Sequence, residues 1–193
     1  MQRHTGLSRR GFLKAGGATA AGVAVLGLAG VAVPGGEHYG EIVGDERPGV
    51  LTEKEFAVLI LAVDGLIGQA GDLPSTRETR TAARIDRELS LVGGQLLEDM
   101  KASLLYLEYR PLLGGGLTRF TKMAPGERLG LLTELQHSGD VLERSIYAGI
   151  RFMAVFFFYT DPRAWAHMGY GGPLVSPKFF PGGNRIENLG APA

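Results

Sequence analysis

The chain has no cysteine. In an oxidising compartment this rules out disulfides, and in any compartment it rules out Cys-ligated zinc, iron–sulfur clusters and haem attached through Cys-x-x-Cys-His. There are four histidines, no two of them at metal-ligand spacing, and a single tryptophan. No stretch alternates convincingly as a strand, and no Gly-x-Ser-x-Gly, phosphate-loop or dinucleotide fingerprint is present. Gly114-Gly115-Gly116 has no strand before it and reads as a bend. Carboxylate pairs such as Glu53 and Glu55, or Glu98 and Asp99, sit among charged helix neighbours. No catalytic residue, cofactor site or metal site is nominated, so catalysis by this chain alone is not expected.

Acid is also missing from the first 36 residues, where Arg3, Arg9, Arg10 and Lys14 stand before Glu37. All twenty acids and sixteen of the twenty basic residues lie beyond Val33, which leaves that part near −4. A nucleic-acid binder should carry the opposite balance on one face. Ser8-Arg9-Arg10-Gly11-Phe12-Leu13-Lys14 resembles a twin-arginine export signal, with Arg9, Arg10, Phe12 and Leu13 as its defining residues. The run from Ala15 to Val33 has nineteen residues, twelve of them Ala or Gly. It is long enough for a membrane span, but its five glycines weaken a helix by up to ~1 kcal/mol each. Gly30-Val31-Ala32 approximates a small-x-small cleavage site. Residues 1–33 therefore read as a signal peptide or as a retained N-terminal anchor. The twin-arginine route takes folded proteins, usually ones that hold a cofactor or a bound partner.

The remaining ~160 residues suffice for one domain with its own core. Residues 34–51, rich in Gly and Pro, read as a linker. Thr52-Glu53-Lys54-Glu55 has capping-box spacing, and Phe56, Leu59, Ile60, Val63, Leu66 and Ile67 follow at helical period, predicting a helix from about Thr52 to Gln69. A second helical stretch runs from about Thr76 to Glu108, with a break at Gly93-Gly94. Its Arg77, Arg80, Arg84 and Arg87 read as a solvated face, with a phosphate or acidic-partner site as the alternative. Pro111 and the three glycines mark a loop. A helix follows from Pro125 to about His137, then another from about Asp140 to Tyr159. That last helix ends in Phe156-Phe157-Phe158-Tyr159, apolar all round, and so is expected to be covered by the domain or by a partner. Asp161-Pro162 is an N-cap with Pro at the first helical position, opening a short helix through Trp165 that stops at Gly169. The fold class is all-α, a small bundle of four or five helices over residues 52–175, with a Gly/Pro-rich tail over 176–193.

Tyr159, Pro162, Trp165, Gly169, Tyr170, Gly172 and Pro173 form the densest constellation. Tyr and Trp combine large apolar area with a polar tip, which suits interfaces; closing the bottom of the core is the competing role. An aromatic pair leading to Pro-x-x-Trp and then Gly-Tyr-x-Gly-Pro resembles the gluconate 2-dehydrogenase subunit 3 family. Phe120, Pro125-Gly126-Glu127-Arg128 and Leu131-Leu132 are similar to that family's loop and helix start. The family often has Tyr-Tyr where this chain has Phe158-Tyr159. The resemblance implies a small gamma subunit with no cofactor of its own. Its partner would be an FAD-dependent catalytic subunit of the glucose–methanol–choline type, with the twin-arginine translocase and a cytochrome c subunit as further partners. It also implies a place in the periplasm or on the outer face of the cytoplasmic membrane, and partner binding through the aromatic constellation. The alternative is a stand-alone, membrane-tethered helical binding protein.

Overall fold

In a computed structural model, residues 37–68 and 71–172 are described. Arg9, Arg10, Phe12, Leu13, the apolar run 15–33, Pro173 and the tail 176–193 lie outside them. The described residues form an all-α bundle without strands: α1 Glu37–Val43, α2 Glu53–Ile67, α3 Thr81–Val92, α4 Gly94–Leu113, α5 Pro125–His137, α6 Val141–Tyr159 and α7 Pro162–Trp165. Single 3₁₀ turns cover Phe120–Lys122 and Ala166–Met168.

Helix α2 is central and packs on α1, α3, α4, α5 and α6. Its sequence explains why. Phe56 to Ile60, with Ala62 and Val63, is an almost unbroken apolar run, and every one of these residues is buried. A helix apolar on all sides finds low energy only when surrounded. Its start is fixed by the expected capping box: the Thr52 hydroxyl accepts from Glu55 N–H, and the Glu55 carboxylate accepts from Thr52 N–H at 2.8 Å. Helices α3, α4, α5 and α6 contribute Ile85, Leu89, Leu104, Leu107, Leu132, Leu135, Ile146 and Ile150 to the same core.

Gly93 and Gly94 break the second helical stretch in two. Both have positive φ, 57° and 56°, a conformation that side-chain-bearing residues avoid. Helix α4 then runs further than expected, through Pro111 to Leu113. Pro111 lies in the last turn, where its fixed φ is already helical and only one ladder hydrogen bond is forfeited.

The stretch read as a linker contains α1, and this differs from the sequence expectation. Tyr39, Val43 and Leu51 are buried in the core. Helix α1 and the chain after it are held by polar groups distant in sequence. The Tyr39 hydroxyl donates to Glu108 Oε1 at 2.9 Å and accepts from an Arg119 guanidinium N–H at 2.7 Å. Glu108, fully buried on α4, also accepts from Thr121 N–H at 3.1 Å and from its hydroxyl at 2.8 Å. The chain after α1 is pinned by Asp86 of α3, whose carboxylate accepts from the N–H groups of Gly49, Val50 and Leu51.

Candidate partner-binding segment

The segment after α6 is built by a sequence of caps. Helix α6 leaves its last carbonyls without helical partners. Arg84 of α3 meets them: its guanidinium donates to Phe157 C=O at 2.7 Å and to the Thr160 hydroxyl at 2.8 Å, and its head lies 5.8 Å from the Phe157 ring centroid. A cation is favourable at this negative end of the helix dipole. Arg84 also faces Asp161 at 3.8 Å. Asp161 caps α7 by accepting from Arg163 N–H at 3.0 Å and pairs with the Arg163 side chain at 2.7 Å. The Arg163 hydrogen bond first, with the Arg163 and Arg84 charges, holds the Asp161 carboxyl below its usual range despite its burial. Pro162 presets the first turn, and Ala164 seats α7 in the bundle at full burial.

Trp165, Gly169, Tyr170 and Gly172 then form one self-supporting turn. Tyr170 N–H donates to Trp165 C=O at 3.0 Å and Gly169 N–H to Ala166 C=O at 3.1 Å, with Gly169 at φ 66°. These two bonds around a left-handed glycine are a Schellman motif. The apolar contact that accompanies such a motif joins the residues at its two ends, here Trp165 and Tyr170. Their rings meet edge to face with centroids 5.2 Å apart. The Trp165 indole N–H donates to Tyr159 C=O at 2.9 Å, which ties the turn to the end of α6. Gly172, at φ 98°, packs so close to Trp165 that an added Cβ would sit 3.2 Å from Cζ3.

The sequence-nominated residues Tyr159, Pro162, Trp165, Gly169, Tyr170 and Gly172 are therefore brought together. They do not plug the main core: Trp165 is half-buried, Tyr170 is 46% exposed, and neither belongs to the core cluster. The aromatic end of α6 divides by face, with Phe158 fully buried and Phe156 51% exposed. The residues similar to the family's loop and helix start have structural duties. Phe120, Leu131 and Leu132 are buried, and Glu127 accepts from Ala124 N–H at 2.7 Å. That is half a capping box, since Ala124 has no side-chain acceptor to complete it.

Two functional contacts escaped the sequence reading. Arg77 and Arg84 belong to the stripe read as solvated, yet both cap helix ends. Arg77 donates to the Ile42 and Val43 carbonyls of α1 and pairs with Glu46 at 2.6 Å. Nothing local in the sequence signals either contact, since the partners are 34 and 73 residues away. Among the described residues no group of His, Cys, Asp or Glu converges for a metal ion. Also among them, no helix is long and apolar enough to cross a membrane.

Fold and segment define a small all-α domain with a rigid aromatic turn at one helix end. Residues 6–27 match the TAT (twin-arginine translocation) pathway signal sequence, so the chain carries a signal for export across the cytoplasmic membrane. Neither a curated protein nor a solved structure matches the chain. The likeness to the gluconate 2-dehydrogenase subunit 3 family thus remains with the motif residues that carry it.

Proposed function

We propose that this chain is a non-catalytic accessory subunit that binds an FAD-dependent dehydrogenase of the glucose–methanol–choline type, supports its folding and takes it through the twin-arginine route. The observation that carries this reading is the aromatic turn. Its backbone is locked by two hydrogen bonds and an indole-to-carbonyl bond, while Trp165 and Tyr170 keep accessible surface. A rigid aromatic pair is good contact material because little conformational entropy is lost on binding. The signal fits the same reading: folded export is required when a cofactor-loaded partner is attached. FAD belongs to that partner, and the working place is the periplasmic side of the membrane, with a cytochrome c subunit as the electron acceptor of the assembly.

The test is co-expression with a candidate flavoprotein encoded beside this chain and lacking its own signal. The two should co-purify from membranes with a flavin spectrum on the complex. Trp165→Ala or Tyr170→Ala should weaken the complex about thirty-fold, corresponding to ~2 kcal/mol for an interface aromatic. The isolated variants should keep a cooperative melt, because neither side chain fills the core. If they unfold on their own while the wild-type chain is folded, the segment is structural and the interface assignment is wrong.

A further inference from the structure

Helix α6 has a second apolar face that nothing among the described residues covers. It buries Ile146, Ile150, Met153 and Ala154. On the opposite side Val141, Ala148, Gly149, Phe152 and Phe156 line up at helical spacing, all exposed. Phe152 is 65% exposed, and its ring stacks on Phe156 with centroids 5.9 Å apart. Ala148 and Gly149 leave a notch beside Phe152, and a Cβ added at Gly149 would meet no atom within 4 Å. No charge interrupts this stripe; Arg144 and Arg151 flank it.

We infer that this stripe is the docking site of the chain's own C-terminal segment, residues 173–193. The point of departure favours it. The described chain ends at Gly172, against the Trp165 ring, and Trp165 is bonded to the last residue of α6. The end of the helix that carries the stripe therefore lies one indole width from where the segment leaves. Reach is sufficient: Phe179 is seven residues past Gly172, roughly 23 Å of extended chain, while Phe152 lies seven residues before Tyr159, about 10 Å along the helix. Composition matches, since the segment carries Leu174, Val175, Phe179, Phe180, Ile186 and Leu189 against only Lys178, Arg185 and Glu187. An aromatic ring of the pair Phe179-Phe180 suits the Ala148–Gly149 notch.

A second copy of the chain is the competing occupant, and two magnitudes disfavour it. The stripe is about 23 Å long and about 10 Å wide, or roughly 230 Å² per partner, against ~800 Å² per partner in a standard stable interface. A tethered segment also acts at an effective concentration in the mM range, above that of a free second copy. The inference needs no other protein, so its outcome is separate from that of the accessory-subunit reading.

The experiment compares the exported chain with a version ended after Gly172, each with and without Phe152→Ser plus Phe156→Ser. An apolar-surface dye should brighten severalfold on removal of the segment, and the serine pair should abolish that gain. In the full chain the serine pair should also raise the rate of trypsin cleavage at Lys178 and Arg185 severalfold, with the melt of the domain unchanged. That arm stands even if the shortened chain folds poorly. Equal dye binding by both lengths, together with trypsin cleavage insensitive to the serine pair, overturns the proposal. So does a full-length dimer that the serine pair converts to monomer, which would make the occupant a second copy.

Discussion

Replacing Tyr39 by Phe removes one oxygen atom from the core and tests whether α1 is part of the domain or an appendage. The ring stays, so the apolar packing of a residue only 4% exposed is kept. What goes is the hydroxyl that bridges two charged side chains, Glu108 at 2.9 Å and Arg119 at 2.7 Å. Both are out of reach of bulk water, Glu108 fully buried and Arg119 at 6% exposure. A hydrogen bond to a charged group contributes about 1.5–3 kcal/mol, and a buried partner left short of one loses part of its solvation as well. Glu108 retains Thr121, which limits the damage. The expected loss is about 3 kcal/mol, a large share of the ~5–15 kcal/mol that stabilises a domain. For a domain of this size that lowers Tm by on the order of 10 °C.

The assay is urea unfolding of the exported protein, with hydrogen exchange of the α1 amides as a local readout. The Tyr39→Phe midpoint should fall with an unchanged m-value, and α1 should lose protection before α2 does. A double-mutant cycle with Glu108→Gln should give a coupling of about 1 kcal/mol or more, since the two side chains touch. A Tm shift under ~3 °C, the fall that about 1 kcal/mol produces in a domain of this size, would refute the bridging role of the hydroxyl. Residues 37–43 would then be an adornment on a core that does not need them.

Alkaline pH should act on the same network. Burial first, then the Glu108 charge and hydrogen bond, pushes the Tyr39 hydroxyl well above its ordinary value near 10, and burial with the Glu143 hydrogen bond pushes Tyr106 up to about 12. The unfolded chain releases these protons near pH 10 while the folded chain keeps them. The stability they contribute is therefore complete below pH 10 and is lost as pH climbs toward the folded values; unfolding midpoints at pH 9 and 11 should differ, and less so in Tyr39→Phe. Replacing Arg9 and Arg10 by Lys should hold the chain and the proposed flavoprotein partner in the cytoplasm, because the paired guanidinium groups are not matched by ammonium donors; fractionation that finds that partner in the periplasm would sink the shared-signal idea. Gly169→Ala should weaken flavoprotein capture through strain at its positive φ, and Gly169→Asn, which tolerates that conformation, should restore most of it; equal capture by all three would mean the turn's geometry does not matter.

What could be read from sequence was local. Thr52 and Glu55 three residues apart, Asp140 before Val141, Asp161-Pro162 and the Gly93-Gly94 break each carry their geometry within one turn of chain, and each lies where expected. Polar pairs distant in sequence could not be read. Tyr39 and Glu108 are 69 residues apart, and a glutamate on an otherwise ordinary helix is expected at the surface. Helix α1 was missed for the same reason. Its seven residues give too few apolar repeats to show a period, and what secures it is Arg77, Glu108 and Asp86 from other elements.

The aromatic constellation shows how a motif divides once its geometry is known. Pro162 and Gly169 are required by the turn itself, one to start a helix and one to end it with positive φ. Gly172 is required by the approach of the chain to the Trp165 ring. Those residue types would be needed whether or not anything bound there, so they say little about a partner. Trp165 has both duties: its indole N–H and its contact with Tyr170 hold the turn, yet part of it stays exposed. Tyr170 is different. The Schellman contact asks only for an apolar group at its position, and among the described residues no hydrogen bond uses its hydroxyl. A phenol that is 46% exposed goes beyond what the turn demands. Tyr170 is therefore the residue most committed to an interface, and the contrast between Tyr170→Phe and Tyr170→Ala in partner binding, at equal stability, measures what its ring and its hydroxyl each contribute.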